Sequence, residues 1–260
     1  MKDVNYLKQN GVNIEKSLEL FGDLETYIET LTEFLKNVDA RLEELKKYKE
    51  IADMSNYSVI VHSLKSDMRY FGFDKLADDF YKHEIESKNN NMYYVYENYD
   101  VLIDGLKNMI EISNNFIGNN IVEKVDIDDD IEILDKETIL VVDDSDIIQS
   151  FIKKVFENKF NVLIAKDGKE ALNIIINNDQ YNVIAMLLDL NLPNVNGFSV
   201  LNFMKQKELF DKLPTSIITG VGDDDIVNQA FNYKIVDILR KPFNERDVKT
   251  VIEKTICSKK

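Results

Sequence analysis

Val183-Ile184-Ala185-Met186-Leu187-Leu188-Asp189-Leu190-Asn191-Leu192-Pro193 is the stretch that decides how this chain folds. The six consecutive apolar residues from Val183 to Leu188 read as the central strand of a parallel sheet, buried on both faces. Asp189 closes the run, so it is expected at the carboxyl end of the strand, where open α/β sheets hold their ligands. Pro193 and Gly197 bend the chain before the next helix can start. A carboxylate at a strand end is ordinary by itself, and its weight comes from the residues that end the neighbouring strands.

Further short apolar runs lie on either side of this one, at 139–142, 162–165, 216–219 and 236–239. Helical patterns separate them near 146–156, 169–177, 199–207 and 224–232, with a last one near 245–257. This alternation is a βαβ series, whose right-handed crossovers give a parallel sheet with helices on both faces. Five such strands suit the doubly wound flavodoxin-like order 2-1-3-4-5, in which the first and third strands meet at the switch point. Asp143 and Asp144 then end the first strand, Asp189 the third and Thr219 the fourth, while Lys241 follows the last. All of them converge on one edge of the sheet.

Electrostatics narrows what such a cluster is for. Two carboxylates about 4 Å apart repel by roughly 4 kcal/mol at an effective dielectric of about 20, so three together need a counter-charge. Lys241 supplies one positive charge. A hard divalent cation can supply more, and Mg²⁺ prefers a few carboxylates together with waters and phosphate oxygens. The Thr219 hydroxyl and the Lys241 ammonium are suited to a phosphoryl group carried on Asp189.

The first half reads differently. From Ile14 to Ile117 the pattern is helical and contains no proline. A short helix with Ile14, Leu18 and Phe21 ends at Gly22. Asp23 then caps a long one whose apolar residues, from Leu24 through Leu31 and Val38 to Leu45, recur at spacings of four and three. Asp53 caps a second long helix that Gly72 breaks; a third carries Leu76 and Phe80, and a fourth Tyr99, Leu102, Leu106, Met109 and Phe116. Long helices with short connections and one apolar stripe each are expected to pack as an antiparallel four-helix bundle.

On the second long helix Val61, Leu64, Met68 and Phe71 form the buried stripe, and Ser58, His62, Lys65 and Arg69 a polar one. That places His62 toward solvent with Lys65 one turn away. Two readings are open: an ordinary surface histidine, or a neutral imidazole that accepts a phosphoryl group with Lys65 steadying the charge. His83 shares the line of Leu76 and Phe80 and reads as a packing residue.

Two segments carry family resemblances. His62-Ser63-Leu64-Lys65, followed by Gly72, Leu76 and Glu84, resembles the histidine phosphotransfer (HPt) domain, with Ser66 where that family usually has glycine. The resemblance implies that His62 is phosphorylated and Lys65 assists it. The second set is Val142-Asp143-Asp144-Ser145, the run Ala165 to Leu172, Leu188 to Pro193 with Gly197, Ile217 to Gly220, and Lys241-Pro242-Phe243. In this order they resemble a response-regulator receiver domain. That implies Asp189 as phosphoacceptor, with Mg²⁺ held by Asp143, Asp144, Asp189 and the backbone carbonyl of Asn191. It also implies a cis Lys241-Pro242 bond; Ile238 stands where the family often has Tyr or Phe.

The expected organisation is an HPt-like bundle over 1–117, an acidic linker over 118–136 and a receiver over 137–260. The run Val125-Asp126-Ile127-Asp128-Asp129-Asp130 makes the linker a charged, expanded tether. The chain has 260 residues and a net charge of -15, which argues against nucleic acid or an anionic membrane as a main partner. One cysteine, Cys257, and no long apolar span or signal peptide fit a soluble, cytoplasmic protein. With no P-loop and no segment after the last helix, the expectation is a relay protein without kinase or DNA-binding output. Sensor histidine kinases and other receiver or HPt proteins would be its partners. Rival readings are a binding or dimerisation module controlled through Asp189 alone, and a haloacid-dehalogenase-type phosphatase, whose Asp-x-Asp nucleophile motif the candidate aspartates lack.

Overall fold

The computed structural model describes residues 3–118, 136–220 and 224–259. The acidic run read as a tether lies outside the described residues. Six helices come first: α1 (Val4–Gln9), α2 (Ile14–Phe21), α3 (Leu24–Glu50), α4 (Met54–Tyr70), α5 (Asp74–Lys88) and α6 (Met92–Ile117). The predicted caps form, since Asp23 accepts the Thr26 N–H at 2.7 Å and Asp53 that of Asn56 at 3.1 Å. Val61, Leu64, Met68 and Phe71 are fully buried, as the stripe on α4 requires. Helix α1 is an addition to the sequence reading; its six residues are too few for a clear period, and Leu7 alone reaches the core.

The second half alternates β1 (Thr138–Val142), α7 (Asp146–Phe156), β2 (Asn161–Ala165), α8 (Gly168–Ile176), α9 (Asn178–Tyr181) and β3 (Val183–Asp189). It continues with α10 (Gly197–Gln206), β4 (Thr215–Thr219), α11 (Asp224–Ala230), β5 (Ile238–Arg240) and α12 (Glu245–Cys257). The sheet is parallel throughout, in the order β2-β1-β3-β4-β5. Every residue of β3 is buried, as its unbroken apolar run demands. The last strand starts later than its pattern suggests, at Ile238 instead of Val236.

The two faces of the sheet feed different cores. Leu140, Val142, Met186 and Leu188 pack with α8 and α10. On the other face Ile139, Val141 and Leu187 join Ile148, Phe151 and Ile152 of α7 and Val248 and Ile252 of α12, and this cluster runs on without a break into the helical half. Aromatic rings mark the seam: Phe21 meets Phe151 with centroids 6.3 Å apart, and Tyr70 meets Phe243 at 5.9 Å. Such pairs contribute about 0.5–1.5 kcal/mol each beyond their buried area. Phe243 also donates its backbone N–H to the Tyr70 hydroxyl at 3.1 Å, and Lys154 of α7 donates to Thr26 at 2.9 Å on α3.

The turn after α4 depends on one glycine. Gly72 has φ +80°, and a Cβ there would lie 2.6 Å from the carbonyl oxygen of Asn13. Gly72→Ala therefore combines left-handed strain with a backbone clash. It should lower stability by about 2 kcal/mol or more, which chemical denaturation of the full chain would register as a shifted midpoint.

Candidate functional site

The strand-end residues meet as predicted. One ligand atom each from Asp143, Asp144 and Asp189 lie within 4.8 Å of one another. Lys241, delivered by the loop after β5 through a cis Lys241-Pro242 bond, reaches in with Nζ 2.5 Å from Asp189 Oδ2 and 2.9 Å from Asp143 Oδ2. Asp143, Asp189, Thr219 and Lys241 are all buried, and Asp144 is half-buried. Asp143 Oδ1 accepts the Ser145 N–H and Asp189 Oδ1 the Asn191 N–H, at 2.9 and 2.8 Å.

These carboxyls are not equivalent. Burial pushes Asp143 up, Lys241 opposes it, and Asp189 and Asp144 push again, leaving it at about 8. Burial also raises Asp144. Burial acts against the Asp189 carboxylate too, but Lys241 and His62 together hold it below its ordinary value. Asp189 is thus the carboxylate kept ionised, as an attacking or accepting oxygen must be. Asp143 Oδ2 is buried and makes no hydrogen bond despite its nearness to Lys241. A buried oxygen left open beside two more carboxylates fits a hard divalent cation such as Mg²⁺, which Asp143, Asp144 and Asp189 would hold.

His62 is where the structure departs from the sequence reading. It does not face solvent: it is 2% exposed, and Lys65 beside it 5%. The polar stripe was read as a water-facing surface, whereas α5 covers one side of it and the α/β half the other. Glu84 of α5 lies 2.7 Å from His62 Nδ1 and 2.7 Å from Lys65 Nζ, and Lys88 joins it at 2.6 Å. Burial pushes the Glu84 carboxyl up, but His62, Lys65 and Lys88 outweigh it and hold it far below the usual range. An ionised Glu84 accepts a hydrogen bond from the Nδ1–H of His62, the tautomer that leaves the Nε2 lone pair facing outward from α4. Nε2 lies 3.4 Å from the side-chain amide nitrogen of Asn191, two residues beyond Asp189.

The matching set in the second half agrees with known proteins. The response regulator receiver domain family matches residues 139–253. That stretch is a response regulator receiver domain. The receiver is 33% identical over 107 residues to response regulator RR06 of Streptococcus pneumoniae, covering 41% of this chain and 46% of that protein. It is 31% identical over 111 residues to a probable cyclic di-GMP phosphodiesterase of Vibrio cholerae, covering 43% of this chain and 24% of that protein. Among solved structures, a receiver domain protein of Clostridium thermocellum aligns at 29% identity and TM-score 0.42, over 46% of this chain and 94% of that one. The chain spans less than half the length of these two curated relatives.

Other seam residues were not singled out from the sequence. Asp67, one turn past His62 and fully buried, pairs with Arg41 of α3 and accepts the Ser145 hydroxyl at 2.8 Å. Its burial is set by what covers α4, which the sequence pattern does not show. His83 is core, as expected: it is 2% exposed, with Nδ1 3.0 Å from the Tyr57 hydroxyl. No helix among the described residues is long and apolar enough to cross a membrane.

Two measurements follow from these charges. Mg²⁺ at a hundredfold excess over its dissociation constant should stabilise the full chain by about 2.7 kcal/mol, read as a raised thermal midpoint. Asp144→Asn should remove most of that rise while leaving the metal-free protein at least as stable, because it deletes a charge that burial already disfavours.

His83 sets an acid-side slope. Burial lowers its pKa to about 4 from an ordinary 6.5. The folded chain therefore binds fewer protons, and the stability is complete above pH 6.5 and lost as pH falls toward 4. At about 1.4 kcal/mol per unit the loss approaches about 3 kcal/mol. Denaturation of His83→Gln across this window should show a flatter slope than the natural chain; equal slopes would contradict the assignment.

Proposed function

We propose that the chain is a phosphorelay protein in which an HPt-like helical half, residues 1–117, is joined through 118–136 to its receiver. In this reading the phosphoryl group passes between His62 and Asp189 of one chain. Sensor histidine kinases and other receiver or HPt proteins exchange it with the chain from outside. The observation that carries the reading is His62 Nε2 aimed at the Asp189 loop, 3.4 Å from Asn191, with Glu84 fixing the opposite ring nitrogen.

The chemistry is an in-line displacement. The Nε2 lone pair attacks phosphorus, the bond from phosphorus to the Asp189 oxygen breaks, and the carboxylate leaves with the electron pair. His62 keeps its Nδ1 proton, so the phosphorylated ring gains positive charge next to Glu84. In the reverse direction Asp189 attacks and neutral His62 leaves. Lys241 follows the charge on Asp189, and Thr219 at the end of β4 is buried beside the same edge. Lys65, 3.4 Å from Nδ1 and 2.7 Å from Glu84, keeps the charges around the ring balanced. When bound at Asp143, Asp144 and Asp189, with Asn191 as a further donor, Mg²⁺ would neutralise charge on the transferring oxygens.

A small phosphodonor should label Asp189 of the full chain, and the label should then appear on His62 at a rate unchanged over a tenfold range of protein concentration. His62→Gln should confine the label to Asp189, and Asp189→Asn should prevent labelling. If label never reaches His62, from Asp189 or from any receiver, the helical half is a docking module and the relay reading fails.

A further inference from the structure

One apolar cluster runs across the seam, and apolar contacts select poorly between surfaces of similar shape. One polar contact in it joins the two functional centres directly. Asp67 lies five residues after His62, and α4 carries both. Its Oδ1 accepts the Ser145 hydroxyl at 2.8 Å, and Ser145 directly follows the Asp143-Asp144 pair. Both residues are 0% exposed.

The rest of the network fixes each partner. Arg41 pairs with Asp67 Oδ2 and donates to Ser63 Oγ at 2.5 Å, so the Asp67 carboxylate is held in place from within the helical half. Burial pushes Asp67 up, with Arg41 and Ser145 opposing, so Asp67 depends on both. Ser145 is the N-cap of α7: its Oγ accepts the Ile148 N–H at 3.4 Å while its own hydroxyl hydrogen goes to Asp67. The backbone N–H of Ser145 is bonded to Asp143 Oδ1 at 2.9 Å. A continuous path of hydrogen bonds and charges therefore runs Arg41, Asp67, Ser145, Asp143, Lys241, Asp189.

Resting on the relay reading, we infer that Asp67 and Ser145 are the specificity-determining pair of the seam: Asp67 admits a receiver that offers a hydroxyl donor directly after its acidic pair and rejects one that places a carboxylate there. The physical basis is asymmetry of outcome. A hydroxyl satisfies the buried carboxylate, whereas an acidic residue would set two buried anions within hydrogen-bonding distance, with the acidic pocket already behind them. Threonine supplies the same donor and keeps the register of His62 against Asp189. The two residues position the reacting groups and touch neither of them in these contacts.

The pair can be exchanged in the full chain. Ser145→Asp keeps a good N-cap on α7, since Asp and Ser cap helices about equally well, so the receiver fold is retained. It should open the seam, read as a larger radius of gyration in small-angle scattering, and slow the transfer from Asp189 to His62 at least tenfold. Ser145→Thr should match the natural chain in both. Adding Asp67→Asn to Ser145→Asp gives the new carboxylate an amide donor, and should restore compaction and recover most of the lost rate. That recovery is what damage to α7 or the acidic pocket alone would not show.

The inference is overturned if Ser145→Asp leaves scattering and transfer unchanged, or if Asp67→Asn fails to rescue it. Scattering separates this question from the relay itself. Should the natural chain be compact yet never label His62, rescue of compaction upholds the pair while the relay reading falls. Should transfer proceed at the natural rate in Ser145→Asp, the relay stands and the pair has no selective role.

Discussion

Everything at the edge of the sheet depends on Lys241 lying between two carboxylates. Its Nζ is 2.5 Å from Asp189 and 2.9 Å from Asp143, and burial acts against its charge while those carboxylates outweigh burial and hold its pKa above the ordinary value. Removing one partner of such a buried cluster costs about 3–5 kcal/mol, because the charge left behind has no water to turn to. The cluster therefore constrains the fold as well as the chemistry. It requires β1, β3 and the loop after β5 to end together, which the β2-β1-β3-β4-β5 order achieves. It also leaves an excess of negative charge, with Asp143 raised to about 8 and Asp143 Oδ2 without a hydrogen bond. Three carboxyls with one lysine between them are short of positive charge, which would favour an added cation.

The helical half brings a second cluster of the opposite balance to the same place. Glu84 there is surrounded by His62, Lys65 and Lys88, all within 2.7 Å. Of this set His62 comes nearest Asp189, and it follows Lys241 among the neighbours that oppose the effect of burial and hold Asp189 below its ordinary value. The two clusters are thus electrostatically complementary before any phosphoryl group enters. Complementarity of this kind sets register, while the apolar contacts of Phe21, Phe151, Tyr70 and Phe243 supply the bulk of the attraction.

The α/β half was legible because its signals are local and redundant. Val183 to Leu188 had to be a buried strand, and each polar residue marking the edge follows a strand whose own apolar run identifies it. Strand order and the convergence of Asp143, Asp144, Asp189, Thr219 and Lys241 follow from the handedness of crossovers. Long helices α3 to α6 were legible through their period, and α1 was not, having less than two turns. The exposure of His62 was misread for a different reason. Periodicity tells which side of a helix is polar, not what covers it, and a polar stripe against another folded half looks the same in sequence as one against water. Arg41 and Asp67 share that ambiguity: one sits on a long charged helix, the other among polar neighbours, and their pairing spans 26 residues.

Burial of both His62 and Asp189 limits what can reach them from outside. His62 is 2% and Asp189 1% exposed, so on the relay reading a kinase or a second receiver could reach either only if the halves part. The apparent affinity of any such partner is then reduced by the fraction of chains that are open. Buried ion pairs usually resist parting, because separation strands a charge. The buried pairs here are not divided: Arg41 and Asp67 both belong to the helical half, as do Glu84, Lys65 and Lys88, while Lys241 stays with Asp143 and Asp189. Each half carries its own counter-charges away, and among the polar links near the centre those between Asp67 and Ser145 and between His62 and Asn191 are broken. At the centre of the seam the ion pairs are internal to each side, and the pair that does cross, Lys154 with Glu29, lies at the exposed rim where water can replace either partner; on the relay reading, such a seam can select its partner and still release it.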